Sequence, residues 1–308
     1  MKLTDYIGKY KLKAHFGIDY LDKNFTGITE DDFWLIGARS GAGKSTIADI
    51  IATYNAQKGV KVTLISLENF EGDNFVAKAY YKYKQLTQNY SLKLRDFICE
   101  NFDIDIDALK KAEIYANSQY KNIHMINRQV DYKIENLYED IVGAACKQKS
   151  NLVIIDHIDY LDKDYAGESD IAHITQLVKT IRDTQNTFKV PVVAISHLRK
   201  APNQRDNVIV PSVDEFIGSS NKYKQATGTI LLAPDEETNL QSMSYLKATW
   251  CCVRKLRQGG VDNKVARIFF NTKTGLYEPK YEEYKVNFGG TKVEPIIQQN
   301  KLCDYWNR

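Results

Sequence analysis

The sequence predicts an α/β fold: a mostly parallel, doubly wound sheet with helices on both faces and a late β-hairpin. Three observations predict it. Apolar strand candidates alternate with helical stretches from Phe33 onward. A glycine-rich loop, Ala38-Arg39-Ser40-Gly41-Ala42-Gly43-Lys44-Ser45-Thr46, joins the first of these strands to the first helix. Late in the chain, two apolar runs flank Gln258-Gly259-Gly260, the pattern of a hairpin.

In chain order, the predicted parallel strands are 33–36, 60–66, 123–126, 152–155 and 192–196. Helical periodicity falls on 44–58, 70–86, 133–147 and 171–187. Residues 201–207 are a polar loop, and 230–233, 248–256 and 265–270 read as further strands. Residues 1–30 read as a leader or linker, 31–280 as the single large domain, and 281–308 as a polar tail. A chain of 308 residues suffices for a domain of that size. The leader is too short to be a domain of its own.

The net charge of +3 is nearly balanced, so a nucleic-acid partner would need a local basic patch. No stretch is apolar enough to span a membrane, and the first residues lack the apolar core of a signal peptide. None of the five cysteines sits in a C-x-x-C spacing, which argues against a zinc site of that kind. Vicinal Cys251 and Cys252 lie in a strand-like run and read as packed thiols. A reducing, cytoplasmic location is expected.

The loop at 38–46 is a phosphate-binding loop in all but its first glycine, where Ala38 stands. Backbone N–H groups of the glycines, with the helix N-terminus behind them, suit phosphate oxygens, so Ser40, Gly41, Ala42, Gly43, Lys44, Ser45 and Thr46 are the candidate nucleotide-binding residues. Lys44 can reach the β- and γ-phosphates, and Ser45 can place its hydroxyl on Mg²⁺. The expected ligands are therefore ATP and Mg²⁺. Asp156 ends an apolar strand, where P-loop proteins keep a metal-binding aspartate. Glu68 follows the strand after the P-loop helix, where a general base is needed; spacing alone leaves a simple capping glutamate equally open. His197 ends another strand and could sense the γ-phosphate. Lys255 and Arg257 share a strand face and could reach phosphate in a neighbouring subunit, with a solvated basic hairpin as the alternative.

Taken in order, Ala-x-x-x-x-Gly-Lys-Ser, Ser-Leu-Glu, Ile-Ile-Asp, Ser-His-Leu-Arg-Lys and Lys-Leu-Arg-x-Gly resemble the motor domain of ring-shaped replicative helicases. That group holds the bacterial DnaB helicases, the helicase half of phage primase-helicases, and the mitochondrial Twinkle helicase. Ser196-His197-Leu198 and the Asn271-x-x-x-Gly275-Leu276 ending look nearer to the phage and mitochondrial branch. The resemblance covers about Gly17 to Pro279 and includes Ala38, which that family shares.

The resemblance implies a RecA-like P-loop NTPase core and an ATP-hydrolysing DNA helicase. It implies a homo-hexameric ring moving 5′→3′ on single-stranded DNA, with a primase or polymerase as partner. Residue by residue, Lys44 and Ser45 bind phosphate and Mg²⁺, Glu68 activates water, and Asp156 completes the metal site. His197 senses the γ-phosphate, while Lys255 and Arg257 act in trans, and Leu3–Tyr10 would be the short linker helix that members of the family pack against the next subunit. The segment matching the family's DNA-binding stretch lacks its arginine. DNA contacts are then expected from Arg199, Lys200, Arg205, Gly218, Ser219 and Lys222. Two other readings share the core: a filament-forming DNA-binding ATPase of the RecA or RadA kind, and an ATP-binding loader or scaffold of low hydrolysis.

Overall fold

A computed structural model describes residues 7–68, 72–127, 131–163, 168–199, 209–216, 219–237, 245–257, 259, 264–287 and 290–296. The chain runs β1 (Leu12–Ala14), α1 (Asp19–Phe25), β2 (Ile28–Thr29), β3 (Phe33–Ala38), α2 (Lys44–Gln57), β4 (Val62–Ser66), α3 (Asp73–Thr87), α4 (Leu94–Ile98) and α5 (Ile106–Tyr120). It continues with β5 (Ile123–Asn127), α6 (Ile134–Cys146), β6 (Leu152–Asp156), α7 (Asp170–Phe188), β7 (Val192–His197), α8 (Ser219–Gln225), β8 (Gly228–Pro234), β9 (Leu246–Leu256), β10 (Lys264–Asn271), β11 (Leu276–Val286) and β12 (Val293–Pro295).

The main sheet has the order β12-β11-β10-β9-β8-β3-β7-β6-β4-β5. From β8 to β5 every pairing is parallel; from β8 outward to β12 every pairing is antiparallel. The central strands are near-continuous apolar runs because both of their faces are covered. Their side chains alternate strictly between two cores. Phe33, Leu35, Val153, Ile155, Val192 and Ala194 face α6 and α7 through Leu137, Ile141, Val178 and Ile181. Trp34, Ile36, Leu152, Ile154, Val193 and Ile195 face α2 through Ile47, Ile51 and Ala52. Cys251 and Cys252 split between these two cores, both buried with free thiols, as packed neighbours on a strand must.

Two expectations are corrected. The boundary at residue 30 does not separate a leader from a domain. Phe16, Ile18, Tyr20, Leu21 and Ile28 are buried in the α2-side core, and the Phe16 ring meets Trp34 edge-on at 4.9 Å. The proposed N-terminal helix falls largely on residues 1–6, outside the described residues.

The boundary at 280 falls inside β11, which pairs with β10 along its length. Its polar sequence reflects cross-strand charge pairing, with Arg267 held by both Glu282 and Asp235.

The unassigned stretch before β5 carries α4 and α5, which build a small third core with α3 from Tyr80, Tyr83, Leu92, Ala108, Ala112 and Ala116. Tyr80 and Tyr83 of α3 are packed, and Lys78 and Lys84 are buried beside them. Lys78 pairs with Asp49 at 2.7 Å, and the Lys84 ammonium donates to the Tyr80 hydroxyl at 3.1 Å.

Candidate functional site

Strands β3, β7, β6 and β4 are neighbours and parallel, so their C-terminal ends lie along one edge of the sheet. Ala38 stands opposite His197, and Ser66 opposite Asp156. The sequence-predicted groups of the phosphate loop, Glu68, Asp156 and His197 therefore converge, at the edge where open α/β sheets bind ligands.

The phosphate loop needs its glycines for backbone reasons. Gly41 and Gly43 sit at φ 77° and 80°, and Gly43 is the residue from which α2 departs. Ser45, in the first turn of α2, lies beside the Asp156 carboxylate, close enough for its hydroxyl to favour the charged form. Asp156 is buried, and its Oδ1 has no hydrogen-bond partner among the described residues. Burial pushes its carboxyl above the usual aspartate value, and the Glu68 charge adds to this. Ser45, His157 and Lys44 oppose the rise. An orphaned buried carboxylate oxygen beside a serine hydroxyl is a donor set of hard oxygens, which fits Mg²⁺.

Beside this pair lies a polar network that sequence reasoning missed in part. His157 follows Asp156 directly and is buried, with its Nε2 2.7 Å from His197 Nε2 and 3.4 Å from the Glu68 carboxylate. Its Nδ1 faces Asp159 at 3.4 Å. Asp159 also accepts from the His197 backbone N–H at 2.6 Å and from the Lys222 ammonium at 2.5 Å. Burial alone would raise the Asp159 carboxyl, but His157, Lys222 and the His197 amide hold it well below the usual range. Burial, His157 and Lys44 hold His197 below the ordinary imidazole value, so its ring is neutral near pH 7. The Asp-His-Ile-Asp run at 156–159 was the available sequence signal for His157 and Asp159.

A second tie runs behind the phosphate loop. Arg39 grips Glu215 through two bonds of 2.8 Å, and Glu215 in turn caps the turn at Ser212. Gly37 lies so close to Phe216 that a Cβ there would stand 2.5 Å from the ring. The loop before α8 is thus packed onto the strand that carries the phosphate loop. Next to Ser45 and Thr46, a cleft of about 380 Å³ opens between α2, α3 and the turn at Gly275.

The remaining predicted residues are elsewhere. Leu256 pairs with Gly228, and the Arg257 N–H bonds Thr227 at the N-terminal edge of the parallel strands. Trp34 marks that edge and Ala38 the other. Four residues of strand separate them, ~13 Å. Arg257 is exposed there and lies within electrostatic reach of Arg182. Lys255 is half-buried, and its ammonium donates to the carbonyls of Tyr223 and Lys224 at the end of α8. Neither residue shares an edge with its own phosphate loop.

Of the expected DNA contacts, Arg199 is exposed. Ser219 opens α8, while Lys200, Arg205 and Gly218 lie outside the described residues. Lys222 is a correction. Its side chain is wholly buried against Asp159 and Ser196, so it braces the site from within and offers no charge to a strand outside.

Comparisons with known proteins agree with this geometry. The family model described as DnaB-like helicase C terminal domain matches residues 14–278. The replicative DNA helicase DnaB of Buchnera aphidicola subsp. Acyrthosiphon pisum (strain APS) is 20% identical over 282 residues, covering 90% of this chain and 57% of that protein. DnaB of Buchnera aphidicola subsp. Schizaphis graminum (strain Sg) is 19% identical over 249 residues, covering 80% and 51%. The chain thus spans little more than half the length of these curated relatives. Among solved structures, a separately determined ATPase domain superposes with a TM-score of 0.72 at 19% identity, covering 89% of this chain and 94% of that one. A DnaB-like replicative helicase, described with its interactions with primase, gives 0.71 at 20% identity, covering 86% and 61%. At these identities the structures speak to the fold, which is that of a RecA-like ATPase core.

Proposed function

The chain belongs to the DnaB-like helicase C-terminal domain family, and we propose that it is an ATP-driven translocase on single-stranded DNA, working 5′→3′ as a homo-hexameric ring. The observation that carries this is the convergence of Ser45, Glu68, Asp156 and His197 on one sheet edge while Arg257 stands on the other. A head-to-tail contact between copies would bring the second edge of one chain to the first edge of the next, and such contacts close into rings.

In this reading the phosphate loop and Lys44 bind the triphosphate, and the cleft beside Ser45 and Thr46 receives the ribose and base. Ser45 and Asp156 hold Mg²⁺, which when bound neutralises charge on the phosphate oxygens. Glu68 takes a proton from the attacking water, and its exposure lets water reach it. With nucleotide bound, His197 turns its one ring N–H from His157 to the γ-phosphate. Arg257 of the neighbouring copy stabilises the charge that develops as the bond to the leaving phosphate breaks. Arg199 and the segment leading into α8 face the strand, and the Arg39–Glu215 tie joins that segment to the phosphate loop. A primase or polymerase is the partner such a motor would serve.

The deciding experiment is unwinding of forked DNA by wild type, Glu68→Ala and Arg257→Ala. Unwinding by wild type, lost in both variants, supports motor and intersubunit finger together. An ATPase that coats DNA without unwinding it would favour a filament-forming protein instead.

A further inference from the structure

Glu68, His157 and His197 each offer one ligand atom, and these atoms all lie within 4.8 Å of one another, with Glu68 open to solvent and His157 buried behind it. Two imidazoles and one carboxylate around an open fourth position form a donor set that zinc takes in catalytic sites. We infer that Glu68, His157 and His197 form a binding site for a borderline transition-metal dication of the zinc class, and that its occupancy stops turnover. The second half rests on the roles proposed for Glu68 and His197.

Geometry supports the site. Tetrahedral zinc with metal–ligand bonds of about 2.0–2.1 Å places its ligands about 3.3–3.4 Å apart. His157 Nε2 and Glu68 Oε2 are already 3.4 Å apart. The two histidine nitrogens are 2.7 Å apart, a hydrogen-bond distance, and must open by roughly 0.6 Å for the same geometry.

The outer shell is nearly built. The Asp159 carboxylate lies 3.4 Å from His157 Nδ1, which has no hydrogen-bond partner among the described residues, so a small ring rotation on metal binding completes the carboxylate–histidine arrangement that fixes a ligating tautomer. Asp159 is itself anchored by Lys222 and the His197 amide. With the His157 proton on Nδ1, its Nε2 lone pair accepts from His197 Nε2–H. Metal entry requires His197 to move that proton to Nδ1, with no net proton gained or lost. Mg²⁺ does not compete well here, because it prefers oxygen donors such as Ser45 and Asp156. Once bound, the ion withdraws the Glu68 carboxylate from water and His197 from phosphate.

The test uses the nucleotide-free full chain carrying Cys99→Ser, Cys146→Ser and Cys303→Ser, so that these thiols do not bind metal. Co²⁺ is followed by its visible absorption, and Zn²⁺ by competition with a chromophoric chelator. One equivalent per chain is expected, with a tetrahedral Co²⁺ spectrum, unmoved by excess Mg²⁺. Glu68→Gln and His157→Gln should each weaken binding at least ~10-fold, and Asp159→Asn by about 10–100-fold although all three ligands remain. Thermal unfolding monitors the fold of each variant; Glu68→Gln changes only an exposed side chain. Binding that is equal in wild type and Glu68→Gln, or absent below millimolar metal, overturns the site. Zn²⁺ should also inhibit ATP hydrolysis reversibly, with relief by chelator; saturated metal without inhibition overturns the second half. A wild type that hydrolyses no ATP contradicts the helicase reading, while the binding data still decide the metal site.

Discussion

Lys222 and Asp159 form an ion pair at 2.5 Å in which the lysine side chain has no exposure at all. A lysine so placed would be unstable without its partner. It joins α8, which leads out of the segment expected to contact DNA, to the turn that follows the Asp156 strand.

Lys222→Met, which leaves Asp159 buried without its cation, should cost about 3–5 kcal/mol in urea unfolding. The double variant Lys222→Met/Asp159→Asn should recover much of that loss, because neither charge is then buried alone. A double variant no more stable than the single would show that the pair is not the source of the effect.

The same carboxylate sets a pH dependence. Its folded pKa lies below the unfolded value, so the folded state binds the proton less readily. Its contribution is fully present above the ordinary aspartate range and is lost as pH falls towards the depressed folded value. Stability measured from pH 7 down to pH 3 should fall less steeply in Asp159→Asn than in wild type.

Glu68→Gln should lower kcat by about 10²–10⁴-fold while ATP still binds. Nucleotide binding by fluorescence and turnover by phosphate release separate the two. Equal losses in both would place Glu68 in binding and not in water activation.

Arg257→Ala and Glu68→Ala should each be inactive alone. Mixed in equal amounts, they should regain activity, because some interfaces then join an intact Glu68 to an intact Arg257. No gain on mixing would place Arg257 outside the neighbour's site.

Gly37→Ala should destabilise the protein by about 1–3 kcal/mol, since its new methyl meets the Phe216 ring and forces a backbone or side-chain shift. Gly37→Ala combined with Phe216→Leu should be less damaging than Gly37→Ala alone, as read by thermal unfolding.

The central strands were legible because each is buried on both faces and therefore apolar throughout. The phosphate loop, Asp156 and His197 were legible because each closes such a strand. Other parts left weaker traces. The inward face of α5 is Ala108, Ala112 and Ala116, too small to give a strong periodic signal, while Ile106 and Ile114 point outward. Strand β11 lies towards the sheet's edge and satisfies its charges across the ladder, so it reads as polar. The misplacement of Lys222 has a simple cause. Its partner Asp159 is 63 residues away, and nothing local distinguishes a buried lysine from a solvated one.

The ring of Tyr20, in α1, rests edge-on against Tyr281 of β11 at 5.3 Å. The fold thus clasps a segment that precedes the central strands with one that follows them. During synthesis, the α2-side core stays open until the ribosome has delivered about 260 further residues. A nascent chain stalled in the middle strands would carry an unsealed apolar wall, because this core needs segments from both sides of the central strands before it closes.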